Sequence, residues 1–341
     1  MASVSRRRLR GLAALFDGFS LALIGMVVLA ALLPARGDAA RALDVASVAG
    51  IALLFFLHGA RLSRAAILAG LLHWKLQLLV LACTFGLFPL LGLVLEPLAS
   101  PWLSAPLVLG FVYLSALPST VQSSIAFTSM ARGNVAAAVC SASLSNLAGV
   151  FVTPLLLIAL LARDTGAAGS PLAAIGAIVL QILLPFLAGH LLRPWIGAPV
   201  ARWQRLLAAT DRGTILLVVY VAFSESVVDG LWQGLPSAAL AATVVLSLVL
   251  LALVLGATTL LARRLGFDRG DEVVIVFCGS KKSLATGVPM AKILFAGNPA
   301  LGLIVLPLMV FHQLQLMAGA LLAQRYARSA EALERHAAGG P

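Results

Sequence analysis

The sequence predicts an all-α, polytopic membrane protein with ten transmembrane helices. Of its 341 residues, 61% are hydrophobic and only 11% are charged, whereas a soluble chain of this length carries about 25% charged residues. The hydrophobic residues form long runs separated by short polar loops, which is typical of membrane helices and unlike the short alternating segments of a β-barrel. The positive charges cluster in alternate loops, as expected for a chain that crosses a membrane repeatedly.

Ten apolar segments follow one another along the chain, and most approach the ~20 residues that cross a bilayer core. The basic residues 6–10 and the first segment resemble a signal peptide in outline. That apolar stretch is longer than the usual h-region of about 7–15 residues, so we interpret it as the first helix. The predicted spans are 12–33, 43–62, 65–95, 107–130, 135–161, 172–192, 206–228, 238–261, 273–294 and 301–322.

Arginine and lysine are distributed unequally between the two sides of the predicted membrane. With the N-terminus in the cytoplasm, inner loops and tails hold 17 of the 24 Lys and Arg residues, outer loops hold Arg36, Arg41, Arg163 and Lys292, and three lie within spans. The positive-inside rule therefore predicts a multi-pass protein of the inner (plasma) membrane with both termini cytoplasmic. The net charge of +11 then requires no nucleic-acid partner, because these charges lie in short loops.

The ten spans divide into two halves of opposite topology. We predict a first inverted repeat at residues 1–163, a second at 164–325 and a cytoplasmic tail at 326–341. Inverted repeats of this kind occur in many secondary transporters. A Gly-Asn dipeptide follows the fourth span of each half, at residues 133–134 and 297–298.

The fourth span of each half is predicted to be an interrupted helix. Span four contains Pro118 and the polar run 119–124, and span nine contains Lys281 and Lys282 within the Gly- and Pro-containing run 278–289. Interrupted helices at matching places in two repeats mark a midplane site where freed backbone carbonyls and half-helix ends meet a ligand. The alternative is that the prolines kink packed helices whose serines bond back to their own backbone.

The paired lysines are the most unusual feature of these spans. One lysine at the bilayer centre costs about 2.5–3.5 kcal/mol on insertion scales. Two adjacent ones are therefore expected to face protein, water or a ligand and not lipid. Lys281 and Lys282 are candidate binding residues, together with Ser280 and Ser283 beside them and Gln122 in span four.

Five segments of the chain resemble the bile acid:sodium symporter family, in particular its bacterial SBF-like branch. They read LPSTVQSSIAFTS at 117–129, ARGN at 131–134, DRGTILLVVY at 211–220, FCGSKKSLA at 277–285 and FHQLQL at 311–316. The resemblance implies a core domain of spans three to five and eight to ten, a panel domain of spans one, two, six and seven, and two interrupted helices that cross. It also implies alternating access, with sodium binding coupled to the movement of a small organic anion.

One departure from the family pattern concerns sodium. Sodium-coupled members carry a glutamate at the crossover in span nine, whereas this chain has Lys281 and Lys282 and no carboxylate there. The sodium role is therefore not carried over to this segment, and the coupling ion stays open between Na⁺ and H⁺. Oxygen ligands are still available on neighbouring spans, and these candidate site residues are Ser123, Ser124, Ser141, Ser143, Asn146 and Gln77.

Three roles for the lysines follow from these observations. An ammonium could occupy the crossover in place of sodium and donate hydrogen bonds to freed carbonyls. The lysines and half-helix N-termini could together bind an anion. A buried lysine could also release a proton in each cycle, because burial disfavours the charged form. A permanent ion pair with a buried acid is the simplest alternative. We favour the combined structural and anion-binding role, and because adjacent helical residues point ~100° apart, the two lysines need not share it.

The motifs argue against catalysis. The chain has no HExxH helix, no GxSxG elbow and no aspartate-rich diphosphate motif, and its His and Cys residues have no metal-ligand spacing. No catalytic residue, metal site or cofactor is therefore predicted. The predicted function is a secondary active transporter of an organic anion, and the alternative is a regulatory membrane protein with a transporter-like fold, for example in ion or calcium homeostasis.

Overall fold

A computed structural model describes residues 18–61, 73–161 and 179–338 of the chain. These ranges contain helices and short connections and no β-strand. The helices are α1 (Gly18–Leu32), α2 (Gly37–Arg61), α3 (Trp74–Ala99, with a π-helical turn at Cys83–Leu87), α4 (Ala105–Ala116), α5 (Gln122–Met130), α6 (Val135–Leu161), α7 (Leu184–Arg202, preceded by a π-helical turn at Val179–Leu183), α8 (Gln204–Val228), α9 (Ser237–Arg264), α10 (Arg269–Gly279), α11 (Leu284–Leu294) and α12 (Leu301–Ala338).

Seven segments of the described chain are long and apolar enough to cross a membrane. They are Gly37–Arg61, Trp74–Ala99, Val135–Leu160, Leu206–Val228, Ser237–Arg264, Arg269–Leu294 and Leu301–Ala330, and α1 and α4 are shorter apolar helices. Large apolar side chains cover the outside, and Leu32, Leu191 and Trp195 are 70–74% exposed, as suits a surface that faces lipid. The predicted all-helical, multi-pass membrane class is thus confirmed.

The observed helices match most predicted spans to within six residues at the described ends, but α7 continues to Arg202, ten residues beyond the predicted end of span six at 192. The helix predicted at 135–161 has those bounds, and spans four and nine each form two helices separated by non-helical residues. The predicted starts of spans one, three and six, at residues 12, 65 and 172, lie outside the described residues. The predicted tail at 326–341 continues α12 as helix to Ala338.

Local chemistry explains both interruptions. Leu117 has φ −74° and ψ 155°, because the residue before a proline is pushed out of the helical region, and Pro118 follows it. In the second interruption, Ser283 has φ −80° and ψ 111°, and its Oγ accepts a hydrogen bond from the backbone N–H of Thr286. Ser283 therefore caps the N-terminus of α11.

The helices pack in two groups. The outer group consists of α1, α2, α7 and α8, in which α2 lies along α7 and α8 lies against both α1 and α2. The crossing group consists of α3 to α6 and α9 to α12, in which α10 contacts α3, α5 and α6, and α12 contacts α4, α9 and α11. Helix α8 also contacts α11 and α12, so it connects the two groups.

The α10–α11 segment forms the interior of the crossing group. In its most apolar part 94% of the residues are buried, against 28–50% in the same part of the other six candidate spans. The segment with the two lysines is therefore surrounded by protein, as expected from the cost of exposing an ammonium to lipid.

Glycine allows α2 and α7 to approach closely. A Cβ built on Gly59 would collide with the backbone carbonyl of Phe186, and one built on Gly189 would collide with the carbonyl of Phe56. The two helices thus touch backbone to backbone at reciprocal glycines, as small residues permit in membrane bundles.

We expect Gly59→Ala and Gly189→Ala each to lower the free energy of unfolding by about 1–3 kcal/mol, because the new methyl group forces the helices apart. Thermal unfolding of the purified protein in detergent measures this. Gly25→Ala in α1 is the matched control, since a Cβ there has no neighbour within 4 Å. Equal melting temperatures for the Gly59→Ala and Gly25→Ala variants would contradict the close contact.

Candidate functional site

The two interrupted helices meet at their breaks. The backbone N–H of Ser283 donates to the carbonyl of Pro118 over 2.8 Å. The Tyr113 hydroxyl donates to the carbonyl of Gly287 over 2.5 Å. A Cβ on Gly287 would lie 2.6 Å from Leu117 Cδ1, so a larger residue would separate the segments. The breaks thus form one crossing that is held by backbone contacts.

The Lys282 ammonium is the polar centre of this crossing. Its Nζ donates to the carbonyl oxygens of Thr84 (2.7 Å), Ser115 (2.8 Å) and Leu117 (2.6 Å). The side chain is fully buried, and Nζ lies 4.1 Å from the centroid of the Phe88 ring. All three donors of the ammonium are therefore used, and an aromatic face supports its charge.

Two prolines explain why these carbonyls are free to accept. Phe88 N–H bonds to Cys83 O in the π-helical turn, and Pro89 has no N–H, so Thr84 O has no helical donor. Likewise Pro118 has no N–H to donate to Ser115 O, and the Ser119 N–H instead donates to Ser145 Oγ over 3.0 Å. The π-helical turn of α3 and the end of α4 thus present carbonyls that need a donor inside the protein.

The backbone of Lys282 is also fully bonded. Its N–H donates to Gln315 Oε1 over 2.8 Å, and its carbonyl accepts from Gln315 Nε2 over 2.8 Å. The same amide nitrogen lies 2.9 Å from His312 Nδ1. One glutamine of α12 therefore replaces the helical partners that Lys282 loses at the break.

Lys281 has different surroundings. Its Nζ donates to the carbonyl of Ser123 over 3.1 Å and lies 3.9 Å and 5.1 Å from the ring centroids of Phe127 and Phe277. The side chain is 1% exposed. The structure therefore separates the two lysines, with Lys282 against α3 and α4 and Lys281 against α5 and α10.

Neither ammonium forms an ion pair with a carboxylate in the described ranges. The alternative of a permanent ion pair with a buried acid is therefore not supported by these residues. Nor do the described residues contain a group of three or more His, Cys, Asp or Glu side chains that could hold a metal ion. Among the described residues, the positive charge at the crossing is therefore supplied by Lys281 and Lys282.

Asn146 connects the crossing to α6. Its Nδ2 donates to the carbonyl of Ser119 over 2.8 Å, and its Oδ1 accepts from Thr286 Oγ1 over 2.9 Å. Thr286 Oγ1 in turn accepts from Ser283 Oγ over 3.1 Å. These hydrogen bonds join both interrupted helices to Asn146.

The serines at the start of α5 make a second polar connection. Ser124 Oγ donates to the carbonyl of Phe277 over 3.0 Å. Thr120 Oγ1 lies 2.7 Å from Ser123 Oγ and 2.9 Å from Ser124 Oγ. Hydroxyl groups thus bond the start of α5 to the last turn of α10, beside Lys281.

The other predicted site residues make none of the crossing contacts described above. Ser280 Oγ donates to Val276 O of its own helix over 2.5 Å. Gln122 is exposed and Ser143 is half-buried. Gln77 and Ser141 are buried on α3 and α6, and their side-chain polar atoms have no hydrogen-bond partner among the described residues.

Several residues that build the crossing were absent from the predicted site. Thr84 and Ser115 act through their backbone carbonyl oxygens. Only the prolines that follow them, Pro89 and Pro118, could have indicated that these carbonyls lack a helical donor. Thr286 could have been inferred from its place three residues after the capping Ser283. Ser145 and Gln315 carry no distinguishing signal beyond being polar residues within apolar spans.

The first Gly-Asn dipeptide anchors the entry of α10. Asn134 Nδ2 donates to Asp271 Oδ1 over 3.0 Å, and Asn134 N–H donates to Gly270 O over 3.1 Å. In the second dipeptide, Asn298 Oδ1 accepts from the backbone N–H of Ala300 over 2.9 Å. Both asparagines thus order the chain next to an interrupted helix.

Two interrupted helices that cross inside a bundle, with freed carbonyls at the crossing, occur in many membrane transporters. The comparisons agree with this class. The chain belongs to the SBF-like CPA transporter family, whose model matches residues 17–328. The resemblance to the SBF-like branch is thereby confirmed.

Individual relatives cover nearly the whole chain. An uncharacterized protein of Pseudomonas aeruginosa is 61% identical over 92% of this chain and 93% of its own. YfeH of Escherichia coli, whose name describes it provisionally as a symporter, is 54% identical over 94% of this chain and 96% of its own. Sodium/bile acid cotransporter 7 of Rattus norvegicus is 28% identical over 81% of both chains.

We expect Lys282→Met to lower the free energy of unfolding by about 3 kcal/mol, because it leaves three buried carbonyls without a donor. Thermal unfolding in detergent measures the loss. Lys75→Met is the control, since Lys75 is exposed on α3. Lys282→Ala offers a second measurement: added butylammonium should restore part of its melting temperature and leave the parent unchanged. A Lys282→Met variant as stable as the control would rule out this role.

Proposed function

We propose that the protein is a secondary active transporter of an organic anion that works by alternating access. The observation that carries this proposal is the crossing of two interrupted helices around the buried Lys282 ammonium. Membership of a transporter family supports it, as does a relative named as a sodium/bile acid cotransporter. We infer an organic anion as cargo because the local charge is positive.

The proposed architecture is ten spans in a 5+5 inverted repeat, with a core and a panel domain. The packing supports this division: the outer group (α1, α2, α7 and α8) corresponds to predicted spans one, two, six and seven, and the crossing group to the remaining six. Alternating access would then be a rocking of one group against the other about the crossing. The basic loops support an inner-membrane location with both termini cytoplasmic.

In this proposal Lys282 performs the structural task of a bound cation. A monovalent cation at a broken helix satisfies freed carbonyls and offsets their partial negative charge. The Lys282 ammonium makes the same three contacts from a covalently attached side chain. Transport is therefore proposed to be independent of sodium, with a proton as the remaining candidate for a coupling ion.

Lys281 is proposed to contact the anion. An ammonium has three N–H donors, and Lys281 uses one on Ser123 O among the described residues. Phe127 and Phe277 stabilise its charge through their ring faces but accept no ordinary hydrogen bond. Lys281 can therefore gain hydrogen bonds to a carboxylate or sulfonate when the surrounding helices move.

Counterflow in proteoliposomes tests sodium independence. A thermostability screen of organic anions, starting with taurocholate and aliphatic carboxylates, first selects a stabilising probe. We expect uptake of that probe to change by less than about twofold when choline replaces sodium at fixed pH, because no sodium ion is needed at the crossing. Loss of uptake in choline would refute the sodium-free cycle. A probe that binds but shows no saturable flux would favour the regulatory alternative.

Lys281→Gln tests the anion contact. We expect at least about a tenfold fall in uptake of the same probe, the effect of losing one charge-assisted hydrogen bond of about 1.5–3 kcal/mol. The melting temperature without probe should fall less than that of Lys282→Met, because Lys281 makes one hydrogen bond and two ring contacts where Lys282 makes three hydrogen bonds. Undiminished uptake and unchanged stabilisation by the probe would exclude Lys281 as the contact.

A further inference from the structure

An ion cluster joins the two helix groups at one end of the bundle. Lys292 lies in the last turn of α11, and its Nζ is 2.8 Å from Asp44 Oδ1 of α2 and 3.3 Å from Glu225 Oε1 of α8. The Lys292 side chain is 8% exposed, and the two acids are 43% and 40% exposed. One nearly buried ammonium of the crossing group therefore binds a carboxylate from each of two outer-group helices.

A second polar contact lies beside this cluster. Ser226 Oγ donates to Pro299 O over 2.9 Å and accepts from the N–H of Gly302 over 3.2 Å. A Cβ on Gly302 would lie 2.7 Å from Ser226 Oγ, so the end of α8 rests directly on the start of α12. The two groups are thus in tight contact at this end.

At the opposite, arginine-rich end the described ion pairs stay within one group. Arg61 pairs with Asp211 over 2.6 Å, joining α2 and α8 of the outer group. Arg263 pairs with Glu272 over 3.0 Å, joining α9 and α10 of the crossing group. Motion of one group against the other would leave these pairs intact, whereas it would separate Lys292 from both of its acids.

The cluster is asymmetric in charge, which determines how variants behave. Two carboxylates surround one ammonium, so loss of a single acid leaves Lys292 with one partner. Loss of Lys292 leaves two unpaired acids, and loss of both acids leaves a nearly buried ammonium without compensation. Either complete loss disfavours the packed arrangement: removal of Lys292 leaves two neighbouring carboxylates that repel each other, and removal of both acids leaves a nearly buried ammonium uncompensated.

We propose that Lys292, Asp44 and Glu225 form an ion-pair latch that closes the outer face of the transport route. Lys292 extends from the helix that leaves the crossing, so release of the latch separates α11 from α2 and α8. The route between the two groups then opens on the side that the basic loops assign as outer. This inference rests on the proposed alternating-access function and adds the contact that must break in each cycle.

The test measures access to a buried position beneath the latch. Ala222 on α8 is 1% exposed and lies one turn deeper than Ser226, where its carbonyl faces Gly302. Ala222→Cys is introduced as a reporter, and a membrane-impermeant maleimide is applied to one side of oriented vesicles at a time. The parent chain, whose three native cysteines are buried, gives the background.

We expect Lys292→Gln to raise reporter labelling from the outer side at least tenfold, and Asp44→Asn with Glu225→Gln to do the same. Lys292→Arg should stay near the parent rate, because an arginine retains both ion pairs. Arg41→Gln is the matched control, since Arg41 pairs with Asp38 at this end within α2 alone. Gel filtration confirms that each variant is folded.

Labelling within twofold of the parent rate in both folded charge-loss variants would overturn the latch, as would an increase confined to the arginine-rich side. Labelling needs no substrate, so this outcome is independent of the transport assays. A tenfold increase in a protein without anion flux would support the latch as the outer closure and would refute the transport proposal instead.

Discussion

The structure depends on one constraint: a carbonyl freed inside a membrane must find a donor within the protein. Pro89 removes the N–H that would have bonded to Thr84 O, and at the end of α4 the Ser119 N–H donates to Ser145 Oγ and not to Ser115 O. Helix α3 and the interrupted span four would otherwise bury unsatisfied carbonyls. The Lys282 ammonium answers this requirement with three hydrogen bonds. The interruption of span four and the charge in span nine are therefore parts of one arrangement.

The crossing uses its two lysines unequally although they are neighbours in sequence. Lys282 has all its donors bonded and its backbone bonded to Gln315, so it belongs to the framework. Lys281 has one hydrogen bond and two aromatic faces, so it keeps capacity for another partner. In the proposed transporter, Lys282 would hold the framework and Lys281 would contact the anion, which places the binding group on a rigid support.

Much of the fold could be predicted because hydrophobic runs and charge asymmetry act locally. The membrane class, the positions of both interruptions and the burial of the lysines follow from the cost of polar groups in lipid. The partners of Lys282 could not be predicted, because backbone carbonyls have no sequence identity and the π-helical turn at Cys83–Leu87 leaves little trace. The hydrogen bonds of Ser145, Thr286 and Gln315 depend on which helix faces meet. The periodicity of the sequence does not determine which faces these are.

The covalent attachment of the Lys282 ammonium has a thermodynamic consequence. An ion that travels with its cargo enters from one solution and leaves into the other, and its concentration difference can drive accumulation. In the proposed carrier the Lys282 nitrogen cannot leave with the cargo as a sodium ion does, so a sodium concentration difference would supply no energy at this position. Such a carrier would take its direction from the cargo's own electrochemical gradient, from a proton, or from a second solute carried the opposite way.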